Sequence, residues 1–199
     1  EANDIESALP LVREELPESV GYVEDAAQKM GRLLNGLIEL SRLRRVTVNA
    51  EVVHAGVIFE RAAAGQQARI RASEAVLEKH PVPAVQADSE LLERVFDALI
   101  ANSTRFVGEE PPVIALEGRL QKDGTALLCV SDNGKGIARS ERRRVFDSFY
   151  RGDADGEGEG LGLTFAKLIV ERMCGRMAIG GDETGAKVFL TLPGPGLKA

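Results

Sequence analysis

The sequence predicts an α+β chain: a helical hairpin that enters a dimer bundle, then an α/β sandwich on one mixed sheet. Three observations predict this. Early in the chain, apolar residues recur at alternating spacings of three and four. Beyond about residue 46, helical and strand-like stretches interleave without regular βαβ spacing. In the second half, two glycine-rich segments stand where neither a helix nor a strand interior would tolerate them.

The first region spans residues 1–45. A helical stretch over about Asn3–Leu16 is broken by Pro17-Glu18-Ser19, and Ser19 is placed to cap the next helix. Val20, Val23, Ala27, Met30, Leu34 and Leu37 then form the stripe of a helix packed along a partner. Leu33, Ile38 and Leu40 widen that stripe toward a four-helix bundle. Gly21, Gly31 and Gly36 oppose the helix, each by up to ~1 kcal/mol relative to alanine. A hairpin folded on its own domain is the plainer alternative. The length of the stripe favours a homodimer through these helices.

The second region spans residues 46–199. Val46–Val48 reads as a short strand, 51–64 as a helix with Val52, Val53, Ile58 and Phe59 inward, and Ala68–Leu77 as a strand. Pro81 and Pro83 mark a loop. Asp88 or Ser89 caps a helix over 89–107, with acidic Glu90 and Glu93 in its first turns and Leu91, Leu92, Val95, Phe96, Leu99 and Ile100 toward the core. Strands follow at Val113–Leu120, Thr125–Ser131, Met177–Ile179 and Lys187–Leu192, and helices at Ser140–Phe146 and Leu163–Met173.

Composition excludes several functions. Of the 199 residues, 44% are hydrophobic and 28% charged, as in a soluble globular chain. A net charge of -6 with no basic run argues against nucleic acid as partner. Cys129 and Cys174 are far apart, which argues against a disulfide framework or a zinc site and suits a reducing compartment. No apolar stretch approaches the ~18 residues of a membrane span. The chain is therefore expected to be cytoplasmic without direct membrane contact, which leaves room for membrane anchoring of a parent protein upstream.

Three segments bear chemistry. On the predicted helix 89–107, Ala98, Asn102 and Arg105 share a face, so an amide and a guanidinium point the same way. An amide oxygen can ligate Mg²⁺ and an arginine can neutralise phosphate, although taken alone this pattern favours a plain solvated face. Next, Leu127–Asp132 is a strand that delivers an aspartate to Asn133-Gly134-Lys135-Gly136-Ile137. Alternation puts Leu128, Val130 and Asp132 on one face, so Asp132 needs a donor among apolar neighbours. The exocyclic amine of adenine is one such donor, and the glycines admit close approach of a flat base. Alone, the segment is also a hairpin turn. Third, Gly152–Leu163 is a glycine-rich loop running into a helix, whose free N–H groups suit phosphates. Asp153, Asp155, Glu157 and Glu159 oppose an anion there and favour a plain linker, unless Mg²⁺ or cations such as Arg151 and Lys167 intervene.

Taken in order, the polar helix, DNGKGI, FDSFYR and GEGLGL resemble the N, G1, F and G2 boxes of sensor histidine kinases, within the wider ATPase superfamily of gyrase, Hsp90 and MutL. Gly185–Pro193 resembles the family's last strand, and Met30–Leu43 the second helix of its dimerisation and phosphotransfer hairpin. The resemblance implies ATP and Mg²⁺ as ligands and a response-regulator receiver domain as partner. It implies that Asp132 accepts from the adenine amine, with Gly134, Gly136 and Ile137 shaping the base pocket. It assigns catalytic roles to Asn102, holding Mg²⁺, and to Arg105, standing where the family has a phosphate-contacting lysine. Gly158, Gly160, Leu161, Gly162 and Leu163 would close over the phosphates, with Arg151 beside them. Phe149 and Tyr150 would be lid-side aromatics, while Phe146 and Phe149 serve equally as core.

Two departures stand out. The first Asn of the N box is Ala98, and the hydrolytic relatives' Glu is also absent there. No His lies in the hairpin, and His54 and His80 are wrongly placed for phosphoacceptors. The simplest expectation is a chain that begins just after the phosphoacceptor.

Overall fold

The computed structural model describes residues 16–150, 160–182 and 185–197. The chain divides into two units, one up to Leu40 and one from Ser41. The first is described as helix α1, Leu16–Leu43, which continues into the second unit. Val20, Val23, Met30, Leu34, Leu37 and Ile38 on it are all exposed, so the apolar stripe read from the sequence is unburied along the helix. The expected first helix falls outside the described residues except for Leu16. Ser19 is not a cap, because α1 already includes Leu16 and Pro17. Proline in a first helical turn costs no intrahelical hydrogen bond, so it does not force the break expected of it.

In the second unit, β1 (Glu51–His54) is followed by α2 (Ala55–Gly65), α3 (Gln67–Ala72), β2 (Val76–Lys79), β3 (Ala84–Ala87) and α4 (Ser89–Ser103). Then come β4 (Val113–Leu120), β5 (Thr125–Asp132), a 3-10 turn at Arg144–Phe146, α5 (Gly162–Arg172), β6 (Arg176–Asp182) and β7 (Gly185–Pro193). The main sheet has the order β2-β4-β5-β7-β6, with β2 parallel to β4 and the other pairs antiparallel, so it is mixed as expected. A separate antiparallel pair joins β1 to β3.

One core binds sheet and helices together. Alternate residues Ile114 and Leu116 of β4, Leu128 and Val130 of β5, and Leu190 and Leu192 of β7 are buried with Leu92, Phe96 and Leu99 of α4. Each such side chain contributes about 1.5–3 kcal/mol by leaving water. The rings of Phe59 and Phe96 meet edge to face at 5.4 Å, which joins α2 to α4. Asp88 starts α4 by accepting from the N–H groups of Glu90 and Leu91. Its second oxygen accepts from Asn49 N, and Arg172 donates to the Val46 carbonyl, so residues 46–49 are tied to both α4 and α5.

Several local expectations are corrected. Residues 51–54 are a strand rather than the start of a helix, because the Val52-Val53 pair is drawn into pairing with β3; Val52 is exposed. Strand β3 itself lies where only a loop was expected. Val46–Val48 forms no strand, although Val46 and Val48 pack against the core. Ala68–Leu77 is split: Gln67–Ala72 are good helix formers and make α3, and Glu74 with φ 54° turns the chain into β2. Ser140–Phe146 is turns ending in the 3-10 segment. Helix α4 stops at Ser103 rather than residue 107, where the Thr104 hydroxyl bonds back to the Ile100 and Ala101 carbonyls.

Candidate functional site

The end of β5 meets the end of α4. Leu128 and Val130 are buried, and the same face of β5 ends in Asp132. Its Oδ2 accepts from the Ser103 hydroxyl at 2.8 Å, and its Oδ1 from the N–H groups of Gly134 at 3.0 Å and Ala186 at 3.1 Å. These donors come from α4, the turn after β5, and β7. They offset the desolvation of a carboxylate at the rim of the core. A carboxylate has about four acceptor positions, and the donors among the described residues take three of them, which leaves one on Oδ2.

The turn after Asp132 is packed backbone on backbone. A Cβ on Gly134 would lie 2.3 Å from the Phe106 carbonyl oxygen and 3.1 Å from Asp132 Oδ1. Lys135 N donates to that same Phe106 carbonyl at 3.1 Å. Gly136 has φ 69°, a left-handed conformation that favours glycine. Asn133 is structural: its side chain accepts from Val113 N and donates to the Pro111 carbonyl. Ile137 is half-buried, and its carbonyl accepts from Arg142.

Asn102 faces α5. A Cβ on Gly162 would lie 3.9 Å from Asn102 Oδ1 and 4.0 Å from the Ala98 Cβ, so the first glycine of α5 sits against this face of α4. Among the described residues the Asn102 amide has no hydrogen-bond partner. Arg105 is exposed and lies two residues beyond the end of α4, in a turn where the Arg105 and Phe106 N–H groups both donate to the Asn102 carbonyl. The N-cap residue of α5, Leu161, makes no side-chain cap and the first turn carries no acid, so among the described residues no side chain caps the N-terminal N–H groups, which suit an anion. Leu161 is buried, so only its backbone is offered to a ligand, and Leu163 is half-buried against the core.

The ends of the glycine-rich loop are joined. Phe149 N donates to the Gly160 carbonyl at 3.1 Å, with φ 65° at Phe149 and 68° at Gly160. A non-glycine residue held there costs about 1–2 kcal/mol. Phe146 is half-buried against the core with Lys167 Nζ 4.8 Å above its ring, so Lys167 is engaged by an aromatic face. Tyr150 donates to Glu141, and Arg144 stacks on its ring at 4.5 Å. Arg151, Gly158 and the acids Asp153, Asp155, Glu157 and Glu159 lie outside the described residues.

Ser103 is the residue that sequence reasoning missed. The signal was present: helical spacing continues the apolar row Leu92, Phe96, Leu99 onto a serine. The Ala186 N–H could not have been found that way, since its identity as a donor depends on β7 pairing beside β5.

For Mg²⁺, the fit is limited but adequate. Among the described residues no group of three or more His, Cys, Asp or Glu could hold a metal ion. Mg²⁺ needs only one or two protein oxygens when phosphates and water complete its shell, and Asn102 Oδ1 can be one. A cavity of about 270 Å³ also opens elsewhere, lined by Phe59, Ala63, Ile70 and Leu77 with a Glu60–Lys79 ion pair at 2.7 Å. None of the candidate site residues lines it.

Residues 87–196 match the family described as histidine kinase-, DNA gyrase B-, and HSP90-like ATPase. The methanogenesis regulatory histidine kinase FilI of Methanothrix harundinacea is 31% identical over 179 residues, which is 88% of this chain and 20% of that protein. The chain thus spans about a fifth of that relative's length. Among solved structures, full-length ShkA in complex with AMPPNP superposes with a TM-score of 0.72 at 22% identity, covering 93% of this chain and 40% of that one. The mycobacterial sensor histidine kinase MprB superposes with a TM-score of 0.64 at 26% identity, covering 72% of this chain and 98% of that one. No described helix is long and apolar enough to cross a membrane.

Proposed function

The chain belongs to the histidine kinase-, DNA gyrase B- and HSP90-like ATPase family, and from that premise we propose that it is the ATP·Mg²⁺-binding catalytic region of a sensor histidine kinase. The supporting observation is the meeting at α4: its last turn presents Asn102 to the first glycine of α5 and Ser103 to Asp132. In this reading Asp132 accepts the adenine amine at its open position. The Gly134–Ile137 backbone flanks the base, and the α5 N-terminus with Arg105 takes the phosphates. Mg²⁺ held by Asn102 would neutralise charge on the β- and γ-phosphates.

The γ-phosphoryl passes to a histidine carried on a segment outside this sequence. An N–P bond forms at that imidazole, and the bond from the γ-phosphorus to the β–γ bridging oxygen breaks, which leaves ADP. The phosphoryl group then moves to a response-regulator receiver domain. Residues 1–45 serve as a dimerisation hairpin and 46–199 as the ATP-binding domain. The exposed stripe Val20, Val23, Met30, Leu34 and Leu37 supports a homodimer through α1. The region works in the cytoplasm without direct membrane contact.

The test is to extend the chain upstream to include a histidine-bearing helix and supply γ-labelled ATP. Acid-labile, alkali-stable label on the protein is expected. ATP binding without such label would favour a second reading, a non-catalytic ATP-binding regulatory module. Ala98 beside Gly162 favours that reading, because it leaves α4 with one amide facing the α5 N-terminus.

A further inference from the structure

Two apolar rows of the core each end in a polar residue, and the two ends meet. On α4, Leu92, Phe96 and Leu99 are at most 1% exposed, and the row continues to Ser103. On β5, Leu128 and Val130 are at most 2% exposed, and the row continues to Asp132. Ser103 is 4% exposed and is the one buried polar or charged residue among those described. A hydroxyl there loses the burial gain of an apolar side chain and destabilises the fold unless it is bonded. Its bond is to Asp132 Oδ2 at 2.8 Å.

We propose that Ser103 is the positioning residue for Asp132, and that it sets the site's selectivity for purine nucleotides bearing an exocyclic amine. The proposal rests on the nucleotide reading above. Gly134 and Ala186 N–H groups occupy both acceptor positions of Oδ1, and Ser103 occupies one of Oδ2. Three donors, from α4, the turn after β5 and β7, hold the carboxylate plane, and among the described residues they leave a single lone pair, on Oδ2. That lone pair accepts an amine and repels an oxo group at the same place on the base. Without the Ser103 hydroxyl, Oδ2 has two open positions and nothing on its side fixes the plane. The carboxylate can then turn, and the amine is no longer met in one geometry. Ser103 need not touch the ligand; it acts through Asp132.

The test measures the affinity of the full chain for ATP and for the triphosphate of purine riboside, which carries hydrogen in place of the amine. The native chain is expected to prefer ATP by about ten-fold or more, the worth of one hydrogen bond to a charged group. Ser103→Ala should weaken ATP by about ten-fold and leave the analogue within about two-fold, so that the preference collapses. Ser103→Cys, close in size with a weaker donor, should fall between the two and provides the same comparison if the alanine variant does not fold. Equal weakening of both ligands, or an unchanged preference in both variants, overturns the proposal while leaving the nucleotide site standing. Failure of the native chain to bind ATP overturns the nucleotide reading and this proposal with it.

Discussion

Asp132→Asn separates the proposed ligand-binding role of this side chain from its structural one. An asparagine that keeps its oxygen toward the Gly134 and Ala186 N–H groups places its NH₂ where Oδ2 now stands, opposite Ser103. The serine hydroxyl can turn to accept, so all three bonds persist. What is lost is charge assistance, which separates bonds worth about 1.5–3 kcal/mol from bonds worth about 0.5–1.5 kcal/mol. Part of that loss is returned because a neutral amide is cheaper to desolvate. A net destabilisation of about 1–2 kcal/mol follows, a fall in Tm of roughly 2–8 °C for a chain of this size. The ligand sees a larger change. An adenine amine meets another donor where it had a carboxylate lone pair, and a charge-assisted bond of about 1.5–3 kcal/mol is forfeited, which is about 10–150-fold in affinity. Calorimetric titration with ATP, paired with thermal unfolding, measures both effects. An affinity within three-fold of the native value in a variant that melts within those few degrees would refute the assignment of Asp132.

Gly134→Ala should cost about 2–4 kcal/mol and lower Tm by roughly 5–15 °C, because the new Cβ forces the Phe106 carbonyl away and breaks its bond from Lys135; an unchanged melting curve would contradict the packing described. At Asp97, burial raises the carboxyl above its ordinary 3.8, against the Gln66 hydrogen bond that lowers it and with the Glu93 charge adding to the rise. The native state therefore holds the proton more tightly than the unfolded chain, and stability falls as pH rises from 3.8 through the raised native value. Asp97→Asn should be more stable than the native chain at neutral pH, with the difference vanishing below pH 3.8 in denaturant titrations across pH. Burial, helped by Glu117, pushes the Cys129 thiol up to about 11, so at pH 8 only ~0.1% is thiolate; iodoacetamide should label exposed Cys174 first, as peptide mass spectrometry would show. Replacing Leu34 and Leu37 together by glutamate should convert a dimer to monomer in sedimentation, since both are exposed on the α1 stripe.

The parts legible in the sequence were those governed by local rules. Helix α4 could be read from its cap at Asp88 and its apolar spacing, and β4, β5 and β7 from their alternation. The misread parts depend on distant partners. Val52 and Val53 fit the spacing of a helix as well as that of a strand, and only β3, four residues of weak pattern after Pro83, decides between them. The end of α4 lies at Ser103, where the Thr104 hydroxyl bonds back to the Ile100 carbonyl, and Arg105 falls in the turn beyond it. In the site, Asp132 stood out because an acid ended an apolar strand. Ser103 breaks its row just as plainly, but a serine costs less to bury than a carboxylate, so its position alone is a weaker sign of a site. The donors on Gly134 and Ala186 are backbone groups, and their identity as donors emerges only when β7 lies beside β5.

The central claim is a nucleotide site formed where α4, α5 and the end of β5 meet, and its most direct test is titration of this chain with a non-hydrolysable ATP analogue, with and without Mg²⁺. The account predicts saturable one-to-one binding that strengthens when Mg²⁺ is present, as expected if Asn102 contributes a ligand. No heat and no shift in melting temperature at millimolar nucleotide, from a chain that unfolds cooperatively, would contradict it.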